Sequence, residues 1–479
     1  MDGKRMNAPS QYFKGCYRVA TPVTLSPSFH DIVSKNVSPE MQALARLEKK
    51  DRAAAVSEYI FQSIKRVTVY DAVPTDVCYY GGTKNNVREF EFLEAVLNEF
   101  YLKYSQRYFL QQFGKSGILL KDVPAQLVKR LTMEAAQFVE TQDVLSGAHI
   151  RQLLEYTRTY LSVTMSYHRR EHLLPKIAVV ANDHSPWQVA FAAAMETNTV
   201  PVVYVQHAEV SPAFPALDFT ASVLRNAASH ATYKAIAPPR GHVFVVSRNL
   251  GEVRYADVVR DPGPMATIGI FPTSHFETTA LSRVVEQLRQ NPSVEEVFVK
   301  LHPNGAPLTS EEIGGAQLVE SVPDTPFVAL VGNSSVVLEL LARGVPSFLH
   351  FELDEITPDY YGFVRDGIAP RVLPADLSAQ FWQTDFYGSS WLQRIARFDP
   401  AVLDDGKESR RELAAFLGDL IRNPQGKSFS SRKYVQAMKQ FGETILAALP
   451  YSKRTKEAWL SAAAPAAKKA APLPNGAED

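Results

Sequence analysis

The sequence has few cysteines, no excess of either charge and no long apolar run. Cys16 and Cys78 are the only cysteines among 479 residues, too few for a disulfide framework or a cysteine zinc site. Lysine and arginine number 51, as do aspartate and glutamate, so the basic excess typical of nucleic-acid-binding proteins is missing. No run reaches the ~18–20 apolar residues of a membrane span, and the first residues, MDGKRMNAPS, lack an apolar signal core. These absences predict a cytoplasmic protein with no nucleic-acid partner.

The motifs of several common enzyme classes are missing as well. There is no G-x-x-x-x-G-K-[ST] and no G-x-G-x-x-G after a predicted strand, which disfavours nucleotide hydrolysis and NAD binding. A G-x-S-x-G elbow is absent, so a serine hydrolase is poorly supported. No tight ligand spacing such as H-E-x-x-H occurs, so we expect no metal site and no bound cofactor.

Short apolar runs that alternate with helical segments predict an α/β fold with two lobes. A short strand is predicted at 66–73, and the apolar strands predicted for the first lobe are 177–181, 200–205 and 242–247. Those predicted for the second lobe are 267–272, 297–301, 326–331 and 345–351. Continuous apolar strands of this kind are typical of parallel sheets that helices cover on both faces. We therefore predict two doubly wound, Rossmann-like lobes that face a cleft.

The lobes are expected to divide the chain at a charged linker that contains Pro and Gly, 248–266. Residues 1–247 would form the first lobe, whose helix-rich part includes predicted helices 86–112, 123–145 and 147–170. Residues 267–450 would form the second lobe with closing helices at 408–422 and 429–449. The Ala/Pro/Lys-rich end, 461–479, is predicted to be disordered.

Ionisable side chains follow two predicted strands of the first lobe. Asp183 and His184 follow the strand 177–181, and His207 and Glu209 follow the strand 200–205. In open parallel sheets, ligands bind outside the carboxyl ends of the strands, so these four groups could serve an acid/base step there. The alternative for Asp183 is an N-cap for the helix that starts near Pro186.

Two strand ends of the second lobe are suited to phosphate. His302-Pro303 follow the strand 297–301, and Asn333, Ser334 and Ser335 follow the strand 326–331 at a helix start. A helix N-terminus and its hydroxyls can hold a phosphate, and an imidazolium on an adjacent strand would complete the clamp. The alternatives are that Ser334 is only a helix cap and His302 only a structural strand end.

Glu339 lies one helical turn beyond Ser335, on the same face of the predicted helix 334–343. It could accept hydrogen bonds from ribose hydroxyls if a phosphate sits at the helix tip. The alternative is a solvated charge with no binding role.

The quoted strand ends resemble GT-B glycosyltransferases of bacterial surface and capsular polysaccharide assembly. KLHPNG (300–305) and GNSSVVLELLARGVPSF (332–348) are similar to the His-Pro and Ser-Ser motifs of sialyltransferases, Kdo transferases and CDP-glycerol-type polymerases. VVANDHSP (179–186) and VYVQHAEVSPAFPALDF (203–219) resemble a segment of capsule and surface-carbohydrate biosynthesis proteins. The resemblance covers about 176–351 and implies a GT-B fold and a glycosyltransferase activity.

The resemblance also implies roles for the site residues. The second lobe would bind a CMP- or CDP-activated sugar donor through His302-Pro303, Asn333, Ser334, Ser335 and Glu339. The first lobe would take the acceptor, with Asp183, His184, His207 and Glu209 supplying the base or nucleophile. No metal would be needed, because His302 and the helix terminus can neutralise the leaving phosphate. The acidic dyad-glycine motif of the sialyltransferases is not evident here, so Asp183 is assigned as the base by inference only.

Two other functions stay open at the level of sequence. A GT-B-fold sugar-nucleotide epimerase also has a His-Pro strand end, but its phosphate helix usually begins Ser-Gly-Gly rather than Asn-Ser-Ser. A non-catalytic assembly subunit that binds a nucleotide or glycan is the third possibility. For transfer, the acceptor would be a growing glycan, either free or lipid-linked. The residues that could contact the inner face of a membrane, or simply form a solvated face, are Lys427, Arg432, Lys433 and Lys439.

Overall fold

The computed structural model describes residues 37–423 with several gaps. The gaps are 71, 101–106, 111–116, 168–169, 213, 249–252, 260–265, 304, 306, 355–357, 375–384, 388 and 403–404. All described residues belong to one compact unit, Met1–Lys427. The predicted helix 429–449, the tail 461–479 and the four basic residues proposed for membrane contact lie outside the described residues.

The described residues between 37 and 167 are mostly helical. Its elements are α1 (Pro39–Ala45), α2 (Lys49–Ser63), β1 (Arg66–Tyr70), β2 (Val77–Tyr80), α3 (Lys84–Phe100), β3 (Arg107–Leu110), β4 (Gly117–Asp122), α4 (Ala125–Thr141) and α5 (Gly147–Tyr167). Ser38 caps α1 as the Ser-Pro pair predicts, because its hydroxyl accepts a hydrogen bond from the Met41 amide at 3.2 Å. Strands β1 and β4 form a separate antiparallel pair.

A six-stranded parallel sheet forms the centre of the first lobe. The elements that complete this lobe are β5 (Ile177–Val180), α6 (Pro186–Thr197), β6 (Val202–Val205), β7 (Asp218–Leu224), α7 (Ala227–Ile236) and β8 (Arg240–Val245). The strand order is β3-β2-β5-β6-β7-β8, and every neighbouring pair is parallel. All carboxyl ends of these strands therefore lie at one edge.

A five-stranded parallel sheet forms the centre of the second lobe. Its elements, with the helices that follow, are β9 (Ala266–Phe271), α8 (Thr278–Arg289), β10 (Val294–Val299), β11 (Gln317–Leu318), β12 (Val328–Val331), α9 (Val336–Ala342), β13 (Ser347–Leu349), α10 (Ser389–Ile395) and α11 (Lys407–Arg422). The order is β11-β10-β9-β12-β13. The predicted α/β architecture with two parallel-sheet lobes is confirmed.

Alternate residues of the first sheet enter two different cores. Val180 and Tyr204 pack on one face with α5 and α6, whereas Val179 and Val203 pack on the other face with α3. A fully buried valine or leucine contributes ~1.5–3 kcal/mol, so burial on both faces accounts for the continuous apolar strands. The second lobe has a core of its own, centred on β9 and β12.

Three details of the predicted organisation differ from the structure. Residues 107–110, predicted as the end of a helix, form strand β3, because they pair with β2 at the sheet edge. Helix α11, assigned to the second lobe, packs its apolar residues against the first sheet instead. The described part of the predicted linker includes a 3-10 helix, Tyr255–Val259, that packs into the core of the second lobe.

Candidate functional site

Asp183, His184 and His207 come together at the carboxyl edge of the first sheet. Strands β5 and β6 are adjacent, with Val179 opposite Val203, so the residues that follow them lie side by side. The rings of His184 and His207 are 6.5 Å apart between centroids. The structure thus places together three of the four residues proposed for acid/base chemistry.

Asp183 is completely buried, and both of its carboxylate oxygens accept hydrogen bonds. His184 Nδ1 lies 2.9 Å from Oδ1, and the Tyr233 hydroxyl donates to Oδ2 at 2.7 Å. Burial alone would raise the pKa of Asp183, but these two bonds and the neighbouring imidazoles hold it below its ordinary value. Within the pair, His184 is the member that reaches solvent, with 16% of its side chain exposed.

Asp183 does not cap helix α6. The N-cap residue is Ser185, and Asn182 organises the turn by accepting hydrogen bonds from the amides of His184 (2.9 Å) and Ser185 (2.6 Å). The alternative reading of Asp183 as a helix cap is therefore wrong.

His207 is held as a neutral imidazole. Burial, together with the neighbouring His184, lowers the pKa of His207 to about 4. Its Nδ1 atom is buried and has no hydrogen-bond partner in the part of the chain that the structure describes. A neutral ring with one unpaired nitrogen can exchange a hydrogen bond with a ligand at this edge.

Glu209 belongs to a different hydrogen-bond network from Asp183. Both of its oxygens lie 3.0 Å from Asn226 Nδ2, and Ser229 Oγ donates to one of them at 3.2 Å. Burial raises the pKa of Glu209, although Arg225 and these bonds oppose the rise. Its carboxyl group lines a small cavity instead of the acid/base cluster.

At the carboxyl edge of the second sheet, His302 and Ser334 are not on adjacent strands as we predicted. Strand β9 lies between β10 and β12, so the loop at Thr273–His275 separates them. Burial, with Lys300 and His275 nearby, lowers the pKa of His302. Pro303 follows at the exposed surface. The order of strands in a sheet cannot be read from chain order, which accounts for the error.

A half-buried carboxylate, Asp354, joins two loops at this edge. It accepts hydrogen bonds from the Asn333 amide (2.5 Å), the Thr273 amide (3.0 Å) and the Thr273 hydroxyl (2.7 Å). Burial raises the pKa of Asp354 in spite of these bonds. A Cβ atom on Gly332 would lie 1.9 Å from Asp354 Oδ2, so only glycine fits there. Asn333 is in turn fixed by the Tyr360 amide, which donates to its Oδ1 at 3.3 Å.

The hydroxyls of Ser334 and Ser335 have different environments. Ser334 Oγ accepts a hydrogen bond from the Val336 amide at 3.3 Å, but Ser334 lies one residue before the N-cap position, so the alternative that it is the N-cap residue is not met. Ser335 occupies the N-cap position of α9, but its side chain makes no capping bond. Glu339 is exposed and paired, with one of its oxygens 3.4 Å from Arg88 of the first lobe.

A cavity of about 50 Å³ lies between the two lobes. Its polar lining from the first lobe comprises Glu209, Arg225 and Arg248. From the rest of the chain it comprises Tyr255, Ser335, Glu339 and Asp399. The cavity brings together Glu209 and two residues of the predicted donor site, Ser335 and Glu339. Their positions along the sequence do not indicate that they are neighbours.

Tyr233, Asp354 and Arg225 are site residues that the sequence analysis missed. Asp354 and Arg225 each follow a strand closely, so the rule that found Asp183 could have found them. Strand β7, which Arg225 follows, was itself not predicted. Tyr233 lies inside α7, and nothing in its local sequence distinguishes it from a core tyrosine.

Comparisons with known proteins identify no family. No family model matches the chain, and no curated protein sequence matches it. Similar solved structures include the calicheamicin glycosyltransferase CalG4, at 12% identity and a TM-score of 0.44, with 72% of this chain and 98% of that chain covered. A UDP-N-acetylglucosamine 2-epimerase from Rickettsia bellii has 10% identity, a TM-score of 0.40, and 73% and 97% coverage. The wall teichoic acid polymerase TagF has 11% identity, a TM-score of 0.39, and 78% and 94% coverage.

Structural similarity at such low identity and TM-score assigns no function to this chain. Within the described residues, no group of three or more His, Cys, Asp or Glu side chains is arranged to hold a metal ion. No helix in that same part of the chain has the length and apolar character needed to cross a bilayer.

Proposed function

We propose that the protein is a glycosyltransferase that moves a sugar from a nucleotide donor to a hydroxyl of a growing surface or capsular glycan. The observation that supports this most is the Asp183–His184 pair, which holds an oriented imidazole at the carboxyl edge of the first sheet. Ser335 and Glu339 of the other lobe line a cavity together with Arg225, which follows a strand at that same edge. An oriented imidazole on one side and nucleotide-binding groups on the other are what transfer from an activated sugar requires.

In the proposed reaction, His184 is the general base and Asp183 its positioning residue. Asp183 holds Nδ1, so Nε2 is the nitrogen that takes the proton of the acceptor hydroxyl. The acceptor oxygen bonds to the anomeric carbon while the bond from that carbon to the phosphate oxygen breaks. The electron pair of the broken bond stays with the nucleotide phosphate. This assignment refines our expectation that Asp183 is the base, because Asp183 is buried and its oxygens are bonded.

The donor is proposed to be CMP- or CDP-linked and to lie against the second sheet. His302 would face the departing phosphate, and the Asn333–Ser335 turn, with Glu339 beyond it, would contact the nucleotide. Asp354 contributes indirectly, because it fixes the Asn333 amide. At the edge of the first sheet, His207 lies beside His184, stays neutral and can form a hydrogen bond with the acceptor.

Ligand-induced stabilisation tests the donor assignment. CMP or CDP should raise the melting temperature, because a ligand that binds only the folded state stabilises it. His302→Ala should abolish the shift. Absence of a shift with CMP, CDP and UDP would rule out the nucleotide assignment.

Product analysis with a panel of sugar nucleotides then separates the functions. Transfer to an added glycan, lost in His184→Gln, is the expected result. A sugar nucleotide that changes configuration without an acceptor would indicate the epimerase. Nucleotide binding with no turnover of any donor would indicate a non-catalytic subunit.

A further inference from the structure

Arg225 lies at the carboxyl edge of the first sheet, beside the acid/base cluster. Strands β6 and β7 pair in parallel with Val205 opposite Val223, so Arg225 and His207 both follow two residues later. The Arg225 amide donates to Gln206 Oε1 at 2.9 Å, which fixes the backbone at this point. Its side chain lines the cavity between the lobes.

The other arginine of this cavity, Arg248, is held by hydrogen bonds to protein groups. Arg248 donates to Glu89 at 2.6 Å, and to the carbonyl oxygens of Val246 (2.8 Å) and Val223 (3.1 Å). Its guanidinium also lies 4.2 Å from the centre of the Phe92 ring. Arg248 is therefore a structural cation that has few donors left for a ligand.

Each carboxylate around the cavity has a bonded partner other than Arg225, although the charge of Arg225 acts on the pKa of Glu209. Glu209 is held by Asn226, and Glu339 by Arg88. Asp399 accepts hydrogen bonds from Ser247 Oγ (2.8 Å) and the Tyr255 hydroxyl (2.5 Å). None of them forms an ion pair with Arg225 in the described structure.

Arg225 and Ser335 differ from all of these groups. Within the described ranges, no hydrogen bond or ion pair reaches the Arg225 guanidinium, and no hydrogen bond involves the Ser335 hydroxyl. The two side chains come from different lobes and line the same cavity. A guanidinium carries five N–H donors in a planar fork, and a hydroxyl adds one more donor.

We propose that Arg225 and Ser335 form an oxyanion site between the lobes, and that its ligand is a phosphate group. A guanidinium fork suits two oxygens of such a group, and Ser335 can donate to a third from the opposite lobe. A tetrahedral phosphate has oxygens to offer on both sides, whereas a planar carboxylate has two in one plane. The assignment of this phosphate to the sugar donor rests on the proposed function. The existence of the site does not depend on that function.

Calorimetric titration of the full chain tests this site with three probes: CMP, cytidine and inorganic pyrophosphate. Arg225→Gln should weaken the binding of CMP and pyrophosphate by about tenfold or more, the size expected for a lost charged hydrogen bond, and leave cytidine unchanged. Arg225→Lys, which keeps the charge but not the fork, should lose less. Ser335→Ala should show a smaller loss of the same kind. The matched control is Arg240→Gln, because Arg240 pairs with Asp218 at 2.8 Å and does not line the cavity.

The possible outcomes separate this site from the proposed function. CMP binding that Arg225→Gln leaves unchanged overturns the oxyanion site and spares the donor assignment. Pyrophosphate binding that depends on Arg225, without any nucleotide binding, supports the site and contradicts the donor assignment. Equal losses of CMP and cytidine would mean that Arg225 contacts the nucleoside, which also overturns the proposal. If Arg225→Gln does not fold, the Arg225→Lys and Ser335→Ala titrations decide in the same way.

Discussion

Two aspartates, one at the edge of each sheet, have pKa values that move in opposite directions; Asp183 is fully buried and Asp354 half-buried. Asp183 accepts from His184 and Tyr233, and its pKa is lowered. Asp354 accepts mainly from backbone amides and a hydroxyl, and its pKa is raised. Burial favours the neutral acid at both positions. Imidazoles, which can carry a positive charge, reverse this preference only at Asp183. An ionised Asp183 is suited to orienting His184 as a base. The main role of Asp354 is to fix a loop.

The largest expected effect is on catalysis at the first edge. Asp183→Asn removes the negative charge that orients His184, so transfer should fall by about 10²–10⁴-fold, the usual contribution of general acid/base catalysis. Binding of CMP, measured by calorimetry, should stay within a factor of two or so of the unchanged protein, because the second edge is untouched. Full transfer activity in this variant would reduce Asp183 to a structural residue.

The corresponding change at the second edge should remove donor binding. In Gly332→Ala the new Cβ would lie 1.9 Å from Asp354 Oδ2, so the Asn333 turn has to shift. We expect CMP binding to weaken more than tenfold and the free energy of unfolding to fall by about 1–3 kcal/mol, as for a lost buried hydrogen bond. Gly81→Ala is the matched control, since its Cβ would meet the Asn86 side chain at 3.0 Å. Unchanged CMP affinity in Gly332→Ala would show that the turn does not hold the nucleotide.

The opposite pKa shifts predict opposite pH trends in stability. A lowered pKa stabilises the fold above the ordinary value of 3.8, and this contribution is lost as pH falls through the folded pKa. A raised pKa stabilises the fold below 3.8, and this contribution is lost as pH rises through the folded pKa. The cost of Asp183→Asn should therefore grow between pH 3 and pH 7, while that of Asp354→Asn should shrink. Denaturant titrations at both pH values measure this, and parallel trends would contradict the assigned shifts.

The smallest expected effect concerns the ion pair between the lobes. Arg88 and Glu339 have about half of their side chains exposed, at 48% and 52%. Arg88 also lies 3.6 Å from the buried Glu89, so the pair between the lobes is tested from its other side. Solvent screens exposed pairs, so Glu339→Gln should lower the free energy of unfolding by less than about 1 kcal/mol, and the loss should shrink at high salt. A larger or salt-independent loss would indicate that Glu339 has a further structural role.

Local pattern was sufficient to find most strands but not the whole first sheet. The β-branched runs at β5, β6, β9 and β12 stand out because strands buried on both faces need apolar side chains at every position. Strands β2 and β3 were missed because they adjoin or lie within segments of helical periodicity. Their strand conformation depends on pairing with each other and with β5.

Local patterns along the chain were enough to predict the α/β class, the two lobes and the strand ends that carry Asp183, His184, His207 and His302. Apolar periodicity and polar strand ends are local properties of the chain, so no partner is needed to recognise them. Three features became visible only in the folded molecule: Tyr233 donates a hydrogen bond to Asp183, β9 separates His302 from Ser334, and Arg225 shares a cavity with Ser335. Each of these depends on strand order or on the packing of lobes, which join residues far apart in the chain.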